Sequence, residues 1–455
     1  MSIKTKEQPV ATEQTPEKVM EIHAPDTQEN IQPSGLDKLT ITGGLPLNGT
    51  INISGAKNAA LKLLCASLLT AEPLHLTNAP TSLGDMKTLA LLLKHIGVSV
   101  MFRGDGVAVM HARNIQNPVA PYDLVRKMRG SILVLGPLLA REGRADVSLP
   151  GGCAIGTRPV DFHIEGLRAM GAEIVIEEGY IKARTKNGLM GATYNFPKVS
   201  HTGTENLMMA ATLAKGTTTL KNAAREPEVV DLANCLRAMG ANITGDGTET
   251  IIIEGVEELH GAKHQVLPDR IETGTWMIAA GLTGGELTLE NADLKTLGAL
   301  IAPLERAGIS ITENENGSVT VKRTSDNLIG TDIMTEPYPG FPTDMQAQFM
   351  TLLTQCEGAG MVTETIFENR FMHVPELCRM GADIKTQGNS AIIRGRTPLK
   401  GAEVMATDLR ASVALVLAAL VAKGTTTINR IYHLDRGYED IVGKLQNVGA
   451  KIQRG

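Results

Sequence analysis

Residues 150–161 read PGGCAIGTRPVD, a single cysteine, Cys153, among three glycines with Arg158 and Asp161 just behind it. A thiol becomes a nucleophile or a ready proton donor when nearby positive charge lowers its pKa and solvent or substrate can reach it. The loop by itself supports two readings. It is a surface turn with an incidental small residue, or a reactive thiol on a segment that folds over an anionic substrate.

Further polar residues collect immediately before strongly apolar segments. They are SGAKNAA from Ser54, KMRGS from Lys127, KVSHTGTEN from Lys198, PDRIETG from Pro268, FPTDMQ from Phe341 and ATDLRAS from Ala406. The segments behind them, such as SILVLGPLLA, NLMMAATLA, TWMIAAGL and ASVALVLAALVA, are apolar on every face, which predicts helices buried on all sides. None reaches the roughly 20 residues needed to span a bilayer. The Ser, Thr, Asp and Asn residues ahead of them read as N-caps. Capping has no use for Lys57, Arg129, Lys198, Arg270 and Arg410, because a cation at a positive helix N-terminus is unfavourable unless an anion lies between. Five cations at six helix starts point to a bound polyanion carrying phosphate and carboxylate groups.

The elements that position these residues repeat. LLKHIGVSV, LRAMGAEIVI, LRAMGANIT, LERAGISIT, LCRMGADIK and LQNVGAKIQ each place a glycine between a helix and a strand, at Gly97, Gly171, Gly240, Gly308, Gly381 and Gly449. The spacing is roughly 70 residues, and each glycine is expected to be a left-handed helix cap. With the β-branched runs of GTTTLKNA and GTTTINRI, each unit reads helix, strand, helix, strand, strand. Six units cover residues 37–455. The period is too long for a solenoid, so the expectation is an α/β fold of inside-out units, three to a domain, divided near Pro268.

Bulk properties exclude other classes. A chain of 455 residues calls for two or three domains. Aromatic content of 3% and a net charge of −5 leave little for base stacking or phosphate-backbone binding, so no nucleic-acid partner is expected. Five cysteines (Cys65, Cys153, Cys235, Cys356, Cys378), an odd number without a CxxC pair, argue for a reducing, cytoplasmic setting. His163 and His201 lack partners at metal-binding spacing. No P-loop or GxGxxG fingerprint opens a helix. Residues 1–36 are polar and lack an apolar stretch, which reads as a disordered tail rather than a signal peptide. Arg225, Glu226, Glu228 and Asp231 in NAAREPEVVD read as a surface ion-pair network. Arg370 and His373 of ENRFMH begin a helix, where capping, packing and catalysis all remain open, and Arg436 of YHLDRGYEDI is equally open.

In chain order, SGAKNAAL, PYDLVRKMRGS, SLPGGCAIGTRPVD, NAAREPE, LPDRIETGT, FPTDMQAQF, ENRFMHVPEL, MATDLRAS and RIYHLDRGYE resemble the motifs of the enolpyruvyl transferases, in particular those acting on UDP-N-acetylglucosamine. The resemblance extends from about Leu36 to the C-terminus. It implies two inside-out α/β domains, each of three βαβαββ-like repeats, with residues 57–267 in the first and 37–56 plus 268–455 in the second. It also implies transfer of the enolpyruvyl group of phosphoenolpyruvate to the sugar 3-hydroxyl, the first committed step of peptidoglycan synthesis. The reaction passes through a tetrahedral adduct and uses no metal or organic cofactor.

By the same resemblance Cys153 donates the proton and Asp344 is the general base, with Lys57 and Asn58 at the reacting centre. Arg129, Arg158, Arg410 and Arg436 join Lys57 and Asn58 in holding phosphoenolpyruvate. The nucleotide sugar is assigned to Arg129, Arg158, Pro159, Val160, Asp161, Phe162, Lys198, Val199, Ser200, His201, Asp344 and Ile366. Asp408, Arg370, Glu368 and Arg270 support the site. Phe162 and His201 stand where many relatives carry small aliphatic residues, and GTEN after His201 has no evident catalytic role. The expected partners are the two small molecules only, with no membrane, and the expected state is a monomer or weak homo-oligomer. Two rivals are an enolpyruvyl transferase acting on shikimate 3-phosphate and a non-catalytic UDP-sugar sensor. The cysteine loop and RPVD argue against the first, and Cys153, Asp344 and Lys57 against the second.

Overall fold

The computed structural model describes residues 19–20, 37–150 and 160–455. Cys153, Arg158, Pro159 and nearly all of the segment expected to be a disordered tail lie outside the described residues. Within that segment Val19–Met20 form a short strand paired with Arg103 and Phe102, an element the sequence pattern does not announce.

The expected inside-out packing is present. Helices Lys57–Ala66, His201–Ala211, Arg270–Thr283, Gln346–Leu353 and Leu409–Val421 are buried along most of their length on every face. The remaining helix departs slightly from the pattern. Residues Arg129–Val134 form a 3-10 segment and the α-helix runs only over Leu135–Glu142, so the apolar run begins before the helix does. Tightened first turns of this kind are common at helix N-termini.

Around these helices stand six principal sheets, each containing antiparallel strands and one parallel edge pair. The parallel partners are 119–120 with 144–148, 193–195 with 217–221, and 262–265 with 73–77. The later residues repeat the arrangement with 333–334 on 359–363, 403–405 on 425–429, and 48–52 on 286–290. The last unit lacks one strand of its own. Strand Lys38–Thr42 fills the gap, pairing antiparallel with both Thr425–Asn429 and Lys451–Arg454. The buried apolar residues form two separate clusters. One runs from Ala56 to Val266, and the other joins Leu39, Ile41, Leu47, Ile51 and Ile53 to residues between Ile271 and Ile452.

The repeating glycines are left-handed as expected, with φ of 116° at Gly97, 88° at Gly171, 102° at Gly240, 96° at Gly308, 104° at Gly381 and 97° at Gly449. Each ends an outer helix and aims the chain into a strand. At Gly381 a Cβ atom meets nothing closer than the Pro398 carbonyl at 3.7 Å, so its requirement for glycine is conformational rather than steric. Gly381→Ala is therefore expected to lower stability by about 1–2 kcal/mol, the usual cost of a non-glycine left-handed residue. Urea titration checks this, and an unchanged midpoint contradicts it.

Candidate active site

Where the two cores face each other, the helix starts of Lys57 and Arg410 bring their charges near one another. Lys57 begins a helix of the first core with its side chain buried, and its Nζ lies 3.2 Å from Asp85 Oδ2. The other oxygen of Asp85, Oδ1, accepts from Arg436 Nε of the second core at 2.7 Å. Asp85 thus joins residues 351 positions apart in sequence. Asp344, on the 3-10 turn before helix Gln346–Leu353, is held by two arginines. Arg370 Nη2 donates to Oδ1 at 2.7 Å, while Arg410 Nε and Nη2 donate to Oδ2 at 3.2 and 3.0 Å. Arg370 also donates to Thr343 Oγ1 at 2.8 Å, which fixes the turn that presents Asp344.

The local sequence explains why these groups are held so firmly. Asp408 caps helix Leu409–Val421 by accepting from Arg410 N and Ala411 N at 2.8 and 3.0 Å, so the cap itself aims the arginine. Asp269 caps Arg270–Thr283 through Ile271 N and Glu272 N, and its second oxygen receives Lys57 N at 3.4 Å from the other core. Ser200 Oγ accepts from Gly203 N at 3.2 Å. The N-cap reading is correct at all three, and beside two of these caps the cation, Arg410 or Arg270, meets a carboxylate.

Electrostatics follow from this crowding. Burial pulls the Lys57 ammonium below its ordinary pKa; Asp85 and Asp344 oppose the shift, while Arg410 and Arg436 add to it. Burial pushes the Asp344 carboxyl upward, but Arg410 and Arg370 outweigh it and hold the group well below the usual carboxylate range. Asp85 is likewise lowered by Lys57 and Arg436 against the effect of burial. Buried His373, which faces Asp408 and Arg370, is lowered to about 4 by desolvation. Among the described cysteines, burial pushes Cys65 up and both Cys235 and Cys356 to about 12, which removes them as nucleophiles.

A second group gathers around His163. Its Nδ1 meets Asn206 Nδ2 at 2.8 Å and its Nε2 meets Thr202 Oγ1 at 3.5 Å, which ties helix Asp161–Ala169 to helix His201–Ala211. Burial, together with the charges of His201 and Arg129, lowers His163 to about 3. The ring thereby links the two helix starts. Val160 and Phe162 are half-buried beside it, and Asp161, Lys198 and His201 are exposed. Ile366 lies apart on the second core, its N–H on Glu364 Oε1 at 2.8 Å, with Glu368 exposed nearby.

The reading of NAAREPEVVD as a surface network needs correction. Glu228 and Asp231 are buried. Glu228 pairs with Arg270 across the two cores at 3.0 Å, and Asp231 Oδ1 bonds His264 Nε2 at 2.9 Å. They lie in the first turns of helix Pro227–Ala238, whose packing turns them inward, which a run of charges does not reveal. Asp85 was missed for a related reason: TSLGDMK carries no motif, and only its partners identify it. No group of three or more His, Cys, Asp or Glu side chains among the described residues is arranged to hold a metal ion. No helix among them is long and apolar enough to cross a membrane.

Comparison with known proteins gives this arrangement a context. The profile of the EPSP synthase family (3-phosphoshikimate 1-carboxyvinyltransferase) matches residues 41–445. A UDP-N-acetylglucosamine 1-carboxyvinyltransferase from Acidiphilium cryptum is 60% identical over 419 residues, covering 92% of this chain and 99% of its own length. One from Aeromonas hydrophila is 58% identical over 419 residues, with the same coverage of both chains. Among solved structures, the enolpyruvyl transferase NikO from Streptomyces tendae superposes with a TM-score of 0.83 at 25% identity over 92% of this chain and 99% of that one. An EPSP synthase from Acinetobacter baumannii, 19% identical over 92% of this chain and 100% of that one, shares the fold with a TM-score of 0.70.

The pairing of Asp344 has a measurable consequence for stability. A carboxyl whose folded pKa lies below its unfolded value of about 3.9 contributes stability above that pH and loses it as pH falls toward the folded pKa. Asp344→Asn is expected to be less stable than wild type at neutral pH, with the gap narrowing below about pH 4. Urea unfolding across pH 2–7 measures it, and a gap that is constant or grows in acid contradicts the assignment.

Proposed function

The chain belongs to the EPSP synthase family of enolpyruvyl transferases, and from that premise we infer that it transfers the enolpyruvyl group of phosphoenolpyruvate to the 3-hydroxyl of UDP-N-acetylglucosamine, releasing inorganic phosphate. It is a transferase of peptidoglycan synthesis. The observation that carries the chemistry is the meeting of Lys57, Arg436, Arg410 and Arg370 on two carboxylates between the cores. Such a site suits a substrate with one phosphate and one carboxylate, since arginine forks bind both bidentately.

The sugar 3-oxygen forms a bond to C2 of phosphoenolpyruvate as C3 accepts a proton. The adduct then loses a proton from C3 and the C2–O bond to phosphate breaks, leaving the enolpyruvyl ether. We assign the proton donor to Cys153 and the base for the hydroxyl to Asp344. Lys57, Arg158, Arg410 and Arg436 hold the phosphate and carboxylate, with Asn58 beside the reacting carbon. Arg129, Val160–Phe162 and Lys198–His201 are assigned to the nucleotide, with Ile366 contributing from the second core. With Arg370 and Arg410 both on it, Asp344 is a weak base. A substrate anion that draws Arg410 onto itself restores basicity when the hydroxyl needs it. We take residues 57–267 as one domain and 37–56 plus 268–455 as the other, a division supported by the two apolar clusters. We assign the protein to the cytoplasm, which free thiols at Cys65, Cys235, Cys356 and Cys378 support, and take it to be a monomer or weak homo-oligomer.

Phosphate release in the presence of phosphoenolpyruvate and UDP-N-acetylglucosamine tests the activity, and release with shikimate 3-phosphate alone would overturn it. In the same assay Asp344→Asn is expected to lower kcat by about 10²- to 10⁴-fold, the usual contribution of a general base. A loss below tenfold removes Asp344 from that role. Fosfomycin, an epoxide phosphonate resembling phosphoenolpyruvate, is expected to add once, at Cys153. Intact-mass and peptide analysis checks this, and an adduct on Cys65 or Cys235 contradicts it.

A further inference from the structure

The GTEN run behind His201 takes no part in the chemistry above, yet it contains a fully buried carboxylate. Glu205 is 0% exposed and its Oε1 lies 3.1 Å from Lys62 Nζ, itself buried. Its Oε2 is 3.9 Å from His201 Nδ1. Lys62 belongs to the helix that Lys57 and Asn58 begin, and Glu205 to the helix that His201 begins. Each lies a little more than one turn inside its helix. Lys62 also favours the ionised form of Glu228, after the larger effect of Arg270. Close contacts thus run from exposed His201 through buried Glu205 to Lys62, and a separate ion pair joins Glu228 to Arg270, the first residue of the second core's leading helix.

A buried ion pair is poor evidence for stability, because apolar residues of similar volume often serve the fold as well or better. Its distinctive property is direction. Helices that are apolar on every face pack well at several axial offsets, whereas a 3.1 Å contact between one ammonium and one carboxylate selects a single offset. We propose that the Lys62–Glu205 pair is a positioning element for the reaction. It sets the axial offset between the helix start carrying Lys57 and Asn58 and the helix start carrying His201, and so fixes the spacing between the phosphoenolpyruvate and nucleotide sides of the cleft. The proposal rests on the substrate assignment above.

The test compares Lys62→Met, Glu205→Gln and the double variant Lys62→Met/Glu205→Leu in thermal unfolding and in steady-state kinetics with each substrate varied. Each single variant leaves one buried charge alone and lowers Tm. The double variant recovers Tm to the wild-type value or above while its KM for UDP-N-acetylglucosamine stays raised about tenfold, as expected of misplaced substrate-binding groups. Its KM for phosphoenolpyruvate stays within about twofold, because Lys57 keeps Asp85 and its own helix start. A double variant that regains both Tm and nucleotide KM overturns the proposal and makes the pair purely structural. Should the double variant fail to fold, Glu205→Asp, which keeps the charge but shortens its reach, supplies the same readout. A raised nucleotide KM supports positioning and an unchanged one overturns it. Wild-type protein that neither binds the UDP-sugar nor turns over indicates failure of the substrate assignment instead.

Discussion

Cations gathered between two apolar cores repel one another unless anions lie among them, and that constraint organises this molecule. Lys57, Arg370, Arg410 and Arg436 meet where helix N-termini already supply positive potential. Asp85 and Asp344 make the arrangement tolerable, each shared between two cationic partners. Asp85 does so between the cores, taking Lys57 from the first and Arg436 from the second. Charge compensation therefore draws on the same donors that the proposed function assigns to the substrate anions.

The inside-out architecture follows from the same requirement. A helix buried on every side cannot present its flank to a ligand, so its N-terminus is the part left to do chemistry. Six such helices, wrapped by sheets and by outer helices that end in left-handed glycines, make a frame in which their starts meet groups such as Asp85 and Arg436 from the outer segments. Caps then serve two purposes. Asp408 ends the backbone ladder and aims Arg410, and Asp269 caps its own helix while receiving the first N–H of the helix in the other core.

Charged residues inside the first core follow a similar logic. Glu228, Asp231 and Glu205 are all buried, and each faces a cationic or imidazole partner. Two of these contacts link helices, and the Asp231–His264 contact links a helix to strand Ala262–Gln265, between apolar surfaces that would otherwise fit together in more than one way. Polar contacts inside an apolar packing thus contribute specificity of arrangement more than free energy.

Much of the frame was legible in the residues themselves. Periodic glycines, all-apolar helices and capping residues are local signals, dictated by backbone geometry and burial within one unit of about 70 residues. The helix dipole singled out Lys57 and Arg410, because a cation at a helix start stands out, whereas Asp344, Arg370 and Arg436 were marked as site residues only by the family resemblance of their motifs. Asp85 did not stand out, since an aspartate near a helix start is ordinary until Lys57 and Arg436 are seen on it. NAAREPEVVD misled for the converse reason: a dense run of charges looks solvated, and only the packing of its helix turns Glu228 and Asp231 inward. The sequence alone determined which residues carry charge to the ends of buried helices. The tertiary structure decided which carboxylate each cation meets, because those partners lie far apart in the chain, as Arg410 and Asp344 do, or on different cores, as Arg436 and Asp85 do.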